Sequence, residues 1–385
     1  MEYCKRCLYP ANAKPTIMID EEGICSGCRV SESKEENINW EEREKALRDI
    51  FDHYKQEAKE RGNIYDCIIP VSGGKDSHYQ VYLVKEVFGL NPLLVTCNHI
   101  FNTRIGLSNL RNMVEKFGCD LIRFTANPHA VKKIARHMIR TVGDITWHYH
   151  AGINTYPIQV AVDKNIPLIV WGEQGYSEVT GIMRLDDIPE FTKWCRQQHE
   201  MRGLEPDDLV NHPDSDIEWK DVAPYVYPRD EDIDRVGVKG IYIGNYVKWD
   251  FQKQLNFLID NYGFRVAAER EKTFSLFHKI DDHANDVHDY LKYLKFGYGR
   301  ATDHATVEIR AGRMTREEGI ELVRKYDGVR PSTLPFYLDF LGWTEQEFED
   351  CIERMRDTDI WEKKDGKWVT KDSIVNHIND PGVKE

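Results

Sequence analysis

Ser72-Gly73-Gly74-Lys75-Asp76-Ser77 combines residue types suited to holding phosphate. Two adjacent glycines let the backbone approach an anion without a Cβ clash, and free amides at a helix start, with the two hydroxyls, donate to phosphate oxygens. Lys75 adds a point charge. Asp76 would repel phosphates unless a Mg2+ ion lay between them, so the segment reads as a phosphate loop carrying its own metal ligand. It is neither the G-x-x-x-x-G-K-[ST] loop nor a G-x-G-x-x-G dinucleotide turn.

A second group sits near residue 1. Cys4 and Cys7 form one C-x2-C pair, Cys25 and Cys28 another. Two such knuckles supply the tetrahedral S4 shell of a structural Zn2+ site, with an iron–sulfur cluster as the alternative. Gly27 suits a tight turn within the second knuckle, and the intervening segment reads as a small hairpin, the shape of a zinc ribbon.

These groups need a scaffold. The apolar stripe over 40–61 is that of a helix ended by Gly62, whereas 31–39 is polar and loop-like. Short apolar strands at 65–71, 92–97, 121–124 and 167–171 alternate with helical segments at 77–88, 106–117, 129–142 and 156–164. That alternation predicts an α/β core with a parallel sheet covered by helices. The phosphate loop directly follows the first strand. Residues 186–235 hold 15 acidic and 6 basic side chains with little periodicity, and read as an inserted loop or lid. A further strand at 239–247 rejoins the sheet, and 251–385 reads as mainly helical. The expected organisation is a zinc ribbon at 1–39, a linking helix at 40–62, a phosphate-binding domain at 63–250 with its acidic insert, and a substrate and partner region at 251–385.

The 385 residues carry a formal charge of −13, which argues against a surface built to neutralise nucleic acid. No apolar run is long enough to span a bilayer, and the start lacks a signal-peptide core, so a cytoplasmic protein is expected. Nine cysteines are too sparse for a disulfide scaffold.

Three candidates lie where strand ends of a parallel sheet meet ligands: His148 and His150, just before a core helix, and Glu173, just after a strand, which could ligate Mg2+ or hold a ribose. Arg300 and Arg310 lie near glycines, and their guanidinium forks match a carboxylate or diphosphate. His278, His283 and His288 are read as structural.

The S-G-G-x-D-S loop after a strand resembles the PP-loop of ATP pyrophosphatases, relatives of argininosuccinate, GMP and NAD synthetases and of tRNA-thiolating enzymes. Along the chain, the cysteine knuckles, PVSGGKDS at 70–77, TWHYHAGINTYP at 146–157, IPLIVWGE at 166–173 and KFGYGRATDHATVEIRAGRMTREEGIELVRKYDG at 295–328 resemble the N-acetyl sugar amidotransferases. That resemblance implies a PP-loop, adenine nucleotide alpha hydrolase-like fold. It also implies ATP cleavage between the α and β phosphates, and conversion of an acetamido group of a nucleotide-activated sugar into an acetamidino group, for O-antigen, capsule or flagellin glycans. Lys75 and Asp76 become the catalytic residues, and ATP contacts extend over 72–77 and to the strand end at Thr96 and Asn98.

Ammonia is mostly protonated at neutral pH, and none of Cys67, Cys97, Cys119 and Cys195 sits in a nucleophile elbow. The expectation is therefore a separate glutaminase partner, to which the resemblance adds a cyclase-like subunit as ammonia conduit. The rival reading is a tRNA sulfurtransferase, which would need a reactive cysteine and a basic RNA surface.

Overall fold

A computed structural model describes residues 1–380 except 174, 176–179 and 182–189. Five strands form one parallel sheet: β1 (Cys67–Pro70), β2 (Pro92–Asn98), β3 (Leu121–Thr125), β4 (Leu168–Trp171) and β5 (Lys239–Tyr242). The order is β3-β2-β1-β4-β5. The chain winds outward from β1 in one direction, then returns to place β4 on the other side of β1. The carboxyl ends of β1 and β4 therefore flank a topological switch point, where connecting chains diverge and leave a crevice.

Strands β1, β2 and β4 are apolar on both faces because both are covered, whereas the edge strand β3 is half-buried. Cys67, Ile69, Leu94, Leu168 and Val170 pack with α2 (Trp40–Arg61), α3 (Lys75–Tyr82) and α4 (Arg104–Phe117). Ile68, Leu93, Val95 and Ile169 pack with α6 (Trp147–Lys164). Each such side chain taken from water contributes roughly 1.5–3 kcal/mol, so central strands of four residues suffice. Helix α6 comes unusually close to β2: a Cβ on Gly152 would lie 2.3 Å from Cys97 Sγ. The fifth core helix, α5 (Pro128–Val142), is capped by the Asn127 side chain.

Several expectations are corrected. Residues 31–36 are not loop but the end of α1 (Ser26–Glu36), which starts inside the second cysteine knuckle, so Gly27 is helical rather than in a turn. The expected hairpin between the knuckles is reduced to isolated bridges at Tyr3–Pro10 and Ile19–Cys25. Helix α6 begins nine residues before the expected start and carries Pro157 internally. Of the supposed acidic loop, 186–189 lies outside the described residues. The rest holds α7 (Lys193–Cys195), α8 (Pro206–Asn211), α9 (Trp219–Val222) and α10 (Asp230–Val236). Met201, Leu209, Ile217, Val222 and Tyr225 pack against Trp147 and Ala151 of α6. Helices of three to seven residues complete too few turns to show a period.

Beyond β5 come α11 (Phe251–Tyr262), α12 (Asn285–Phe296), α13 (Arg300–Arg310), α14 (Arg316–Tyr326), α15 (Leu334–Leu341) and α16 (Glu345–Glu353), then a hairpin of β6 (Trp361–Lys364) and β7 (Lys367–Thr370) that the sequence reading lacks. This region is fastened to the core at the end of β2. Thr103 N donates to Asp281 O at 3.0 Å, His283 N to Phe101 O at 2.9 Å, and Thr103 Oγ1 to Ile280 O at 2.5 Å. Asp282 lies buried in this joint, its Oδ1 accepting Ala284 N at 2.7 Å and standing 3.6 Å from His99 Nδ1.

Burial pushes the Asp282 carboxyl up to about 6, with His99 opposing. A raised carboxyl holds its proton longer in the folded state, so its favourable contribution is complete below about pH 4 and is lost as pH rises through 6. Asp282→Asn keeps an acceptor for Ala284 and removes this loss. Urea denaturation should show the variant about 1–3 kcal/mol more stable than the parent at pH 8 and no more stable at pH 4; equal offsets at both pH values would contradict the assignment.

Candidate active site

The phosphate loop is built as a turn that leads into α3. Gly73 adopts φ +100°, and a Cβ there would lie 2.6 Å from Gly106 O on α4. Ser72 Oγ accepts from Gly74 N at 3.2 Å, and Ser77 Oγ donates to Gly74 O at 3.1 Å. Both hydroxyls thus shape the loop before any ligand arrives. Gln80 on α3 donates to Val170 O of β4 and fixes the helix across the switch point.

Lys75, only 1% exposed, ion-pairs with Asp76 and donates to Gln254 Oε1 at 2.8 Å. Its ammonium also lies 4.3 Å from the centre of the Phe251 ring, and Trp249 Nε1 donates to Asp76 Oδ1 at 3.2 Å. Glu173 comes from the opposite lip of the crevice. Burial, then the charge of Asp76, push its carboxyl up to about 7. A carboxyl on each lip of the crevice, with the charge of Asp76 felt at Glu173, gives a donor set that fits a Mg2+ ion between them.

A cavity of about 660 Å3 opens beside this loop, with Glu173, Phe251 and His278 among its lining residues. Besides these and Lys279, its walls come from the segment Lys14–Thr16, the core at Gly143 and His150, the helical insert at Glu200 and Arg202, and helices α12 and α13. On α12 the lining side chains His288, Lys292 and Lys295 follow an i, i+4, i+7 spacing, and on α13 Arg300, Asp303, His304 and Val307 follow i, i+3, i+4, i+7. Each set is one helical face. The lining carries Lys14, Arg202, Lys279, Lys292, Lys295 and Arg300 against Glu173, Glu200 and Asp303. Among the described lining residues cations therefore outnumber carboxylates, and although Arg300 and Arg202 pair with Asp289 and Asp144 behind the wall, the balance favours anions.

Arg300 lines the cavity as expected, with its fork already occupied. It donates to Asp289 Oδ1 at 2.9 and 2.6 Å and to Asp303 Oδ2 at 2.9 Å. Lys292 Nζ reaches both oxygens of Asp303, and Tyr9 OH donates to Asp303 Oδ1 at 2.9 Å. Asp327 caps α13 from a distance: its carboxylate accepts Gly299 N and Ala301 N at 2.8 Å and Thr302 Oγ1 at 2.5 Å. This explains why the RATDHAT and KYDG segments of the sequence belong together.

The histidines divide. His150 lines the cavity, whereas His148 is buried away from that lining, held neutral by burial and by neighbouring His99, which bring it down to about 3. His278, His288 and His304, not singled out by the sequence as ligand-facing, do line it. Asn98 spends its side chain on the loop after β2 and the end of β3, accepting from Ile100 N at 3.1 Å and donating to Thr125 Oγ1 at 3.1 Å. Thr96 is buried within β2. Only backbone contacts from this strand end remain available to a ligand.

Arg310 departs furthest from expectation. Ten residues beyond Arg300, it falls on another face of α13 and meets the cysteines rather than the cavity. Its Nε donates to Cys28 Sγ and its Nη2 to Cys25 Sγ, both at 3.4 Å. The four cysteine sulfurs lie within 4.8 Å of one another and all are buried. Sulfur pairs stand at 4.0 Å (Cys4–Cys28) and 3.6 Å (Cys7–Cys25), against about 3.8 Å for a tetrahedron of Zn–S bonds of about 2.3 Å. The donor set fits structural zinc. Arg310 then offsets the net negative charge of a tetrathiolate zinc centre.

Residues 271–374 match the family model described as "LPS biosynthesis protein WbpG-like, C-terminal domain", and the matched stretch contains α12, α13 and Asp327. An uncharacterized protein of Methanocaldococcus jannaschii is 30% identical over 119 residues, 31% of this chain and 41% of that protein, so the match spans under half of the relative's length. Among solved structures, NMN synthetase from Francisella tularensis aligns at TM-score 0.32 and 14% identity, covering 72% of this chain and 94% of that one. The NH3-dependent NAD synthetase of Campylobacter jejuni aligns at TM-score 0.28 and 10% identity, covering 52% and 92%.

Two substitutions test the supports of this site. Arg310→Ala should speed zinc transfer to a colorimetric chelator about tenfold or more, with Arg310→Lys intermediate because it keeps charge without the fork; an unchanged rate would detach Arg310 from the metal. Asp327→Ala strands buried donors at the start of α13 and should cost about 2–4 kcal/mol in urea denaturation.

Proposed function

Taking residues 271–374 as a WbpG-like C-terminal domain, we propose that this chain is an ATP-dependent amidotransferase acting on a nucleotide-activated N-acetyl sugar in surface-polysaccharide synthesis. The observation that carries the reading is one cavity with two chemically distinct ends. The Glu173 and Phe251 end adjoins Lys75 and Asp76 of the phosphate loop, while the rest is walled by cations of the matched domain and of the insert. Such a cavity suits a nucleoside triphosphate lying beside an anionic co-substrate.

The chemistry accounts for the need to bring them together. An acetamide carbonyl has no good leaving group. Attack of its oxygen on the α-phosphorus forms an O–P bond and breaks the Pα–O bond to pyrophosphate, with the amide N–H proton leaving alongside pyrophosphate. The resulting adenylyl imidate reacts with ammonia: a C–N bond forms, the C–O bond breaks with its electron pair on AMP, and ammonia's hydrogens stay on the amidinium product. The protein's part is positioning and charge compensation. Loop amides and Lys75, once released from Asp76, would hold phosphates, and Asp76 with Glu173 would hold Mg2+, which when bound offsets phosphate charge. Cationic residues such as Lys279, Lys292, Lys295 and Arg202 would orient the sugar nucleotide.

A glutaminase partner, with a cyclase-like conduit, remains part of the proposal because no cysteine lines the cavity and all nine cysteines are buried. The same facts weigh against sulfur transfer to tRNA, which needs an accessible thiol at the site. The deciding experiment incubates the chain with ATP, Mg2+, ammonium chloride and UDP- or CMP-linked diacetamido sugars. Mass spectrometry should find AMP and a product lighter by the difference between O and NH. Turnover confined to tRNA with a sulfur donor would overturn the reading. Asp76→Asn should lower pyrophosphate release about a hundredfold or more with the fold retained by circular dichroism.

A further inference from the structure

A second cavity, of about 330 Å3, adjoins the first and shares part of α13 with it. Leu255 and Ile259 of α11, Val266, Leu276, Phe277 and Met314 make its lining largely apolar, and the carboxylate among its described lining residues, Glu308, is ion-paired with Arg313. Ile259 and Leu276 are more than a third exposed, which places them toward the surface. Two residues belong to both cavities, His278 and His304. Their rings stack with centroids 4.5 Å apart and an interplanar angle of 25°. The wall between the cavities is therefore one pair of side chains thick.

That wall stands at the phosphate-loop end of the main cavity. Phe251, whose ring lies 4.3 Å from Lys75 Nζ, meets His278 edge-on at 5.4 Å. The histidines are set by short hydroxyl contacts, Thr273 Oγ1 to His304 Nδ1 at 2.6 Å and Ser275 Oγ to His278 Nδ1 at 2.7 Å. Both rings are kept neutral by burial, His278 down to about 3 and His304 well below its ordinary value.

Resting on the amidotransferase reading above, we propose that the outer apolar cavity is the entry for neutral ammonia and that the stacked His278–His304 pair is the door through which it reaches the carbon of the adenylyl imidate. The argument is one of charge and access. Ammonium approaching through the main cavity meets its excess of cations, and the two nucleotide substrates fill that route. A largely apolar vestibule, its Glu308 already paired with Arg313 and its inner end closed by uncharged rings, disfavours ammonium by the desolvation cost of its charge and admits the small neutral molecule. A separate entry lets the substrates close the main cavity against water, and opening it requires the stacked rings to rotate out of their contacts with Thr273 and Ser275.

The test separates the two half-reactions. Leu276→Trp and Met314→Trp narrow the outer cavity from separate segments, and neither residue lines the main one. Pyrophosphate release from ATP and the acetamido sugar in a single turnover without ammonia should match the parent in both variants. The KM for ammonium chloride in amidine formation should rise about tenfold or more, with the KM for sugar nucleotide within about twofold. Leu276→Ala, which widens the mouth, should raise the use of methylamine relative to ammonia. An ammonium KM unchanged in both tryptophan variants, or a methylamine preference unchanged in the alanine variant, would overturn the entry route while leaving the amidotransferase reading intact. Absence of sugar-dependent pyrophosphate release in the parent protein would instead refute that reading, and the entry route with it.

Discussion

The buried ion cluster of Asp289, Arg300, Asp303 and Lys292 is the interaction on which the remaining geometry depends. Removing four charges from water is expensive, and isolated pairs of this kind often fail to recover that cost. Here each charge is hydrogen-bonded as well as paired: Arg300 bridges both carboxylates, Lys292 takes both oxygens of Asp303, and Tyr9 donates to the same carboxylate. The cluster joins α12, α13 and the cysteine-bearing segment, so the orientation of the cavity's cationic wall is set before any ligand binds. Removing one member would strand another charge in a buried place, which is why the cluster specifies geometry more surely than it adds stability.

The second constraint is the switch point between β1 and β4. A phosphate loop needs backbone at close quarters, and Gly73 provides it in a conformation and a space that a side chain could not share. Because β4 runs parallel beside β1, its carboxyl end delivers Glu173 to the other lip of the same crevice. The two carboxylates are near each other through strand order, although ninety-seven residues separate them.

The parts legible in the sequence were those with local signatures. The phosphate loop, the cysteine knuckles and the strand-helix alternation each depend on residues a few positions apart, and all reappear in the structure. Arg300 and Arg310 show the limit. Composition and neighbouring glycines made them equivalent, but helical rotation sends the first to the cavity and the second to the cysteines. The face formed by Arg300, Asp303, His304 and Val307 was readable as a helical spacing, though nothing local showed that it faced a cavity. Asp327 as the cap of a helix twenty-seven residues earlier, and His278 opposite His304, are tertiary pairings without local trace. The insert misled for another reason: its short helices are held by Arg196, buried among Glu205, Thr155 and Tyr225 O, and by apolar contacts to α6, not by periodicity of their own.

The overall charge of −13 and the cationic cavity are two sides of one arrangement. Cations confined to an enclosed wall act across lower-dielectric surroundings, whereas the exposed acidic side chains of the insert are screened by solvent and salt. By charge alone an acidic exterior disfavours polyanions, whereas the cations of the cavity wall favour a small anion that fits inside. The cysteine-bearing module contributes to this selectivity directly, since Lys14, Pro15 and Thr16 form part of the cavity wall while Tyr9 braces Asp303. A metal held by those four thiols would therefore be structural in its chemistry, with no open coordination position, yet it would govern the shape of the site by holding one of its walls in place.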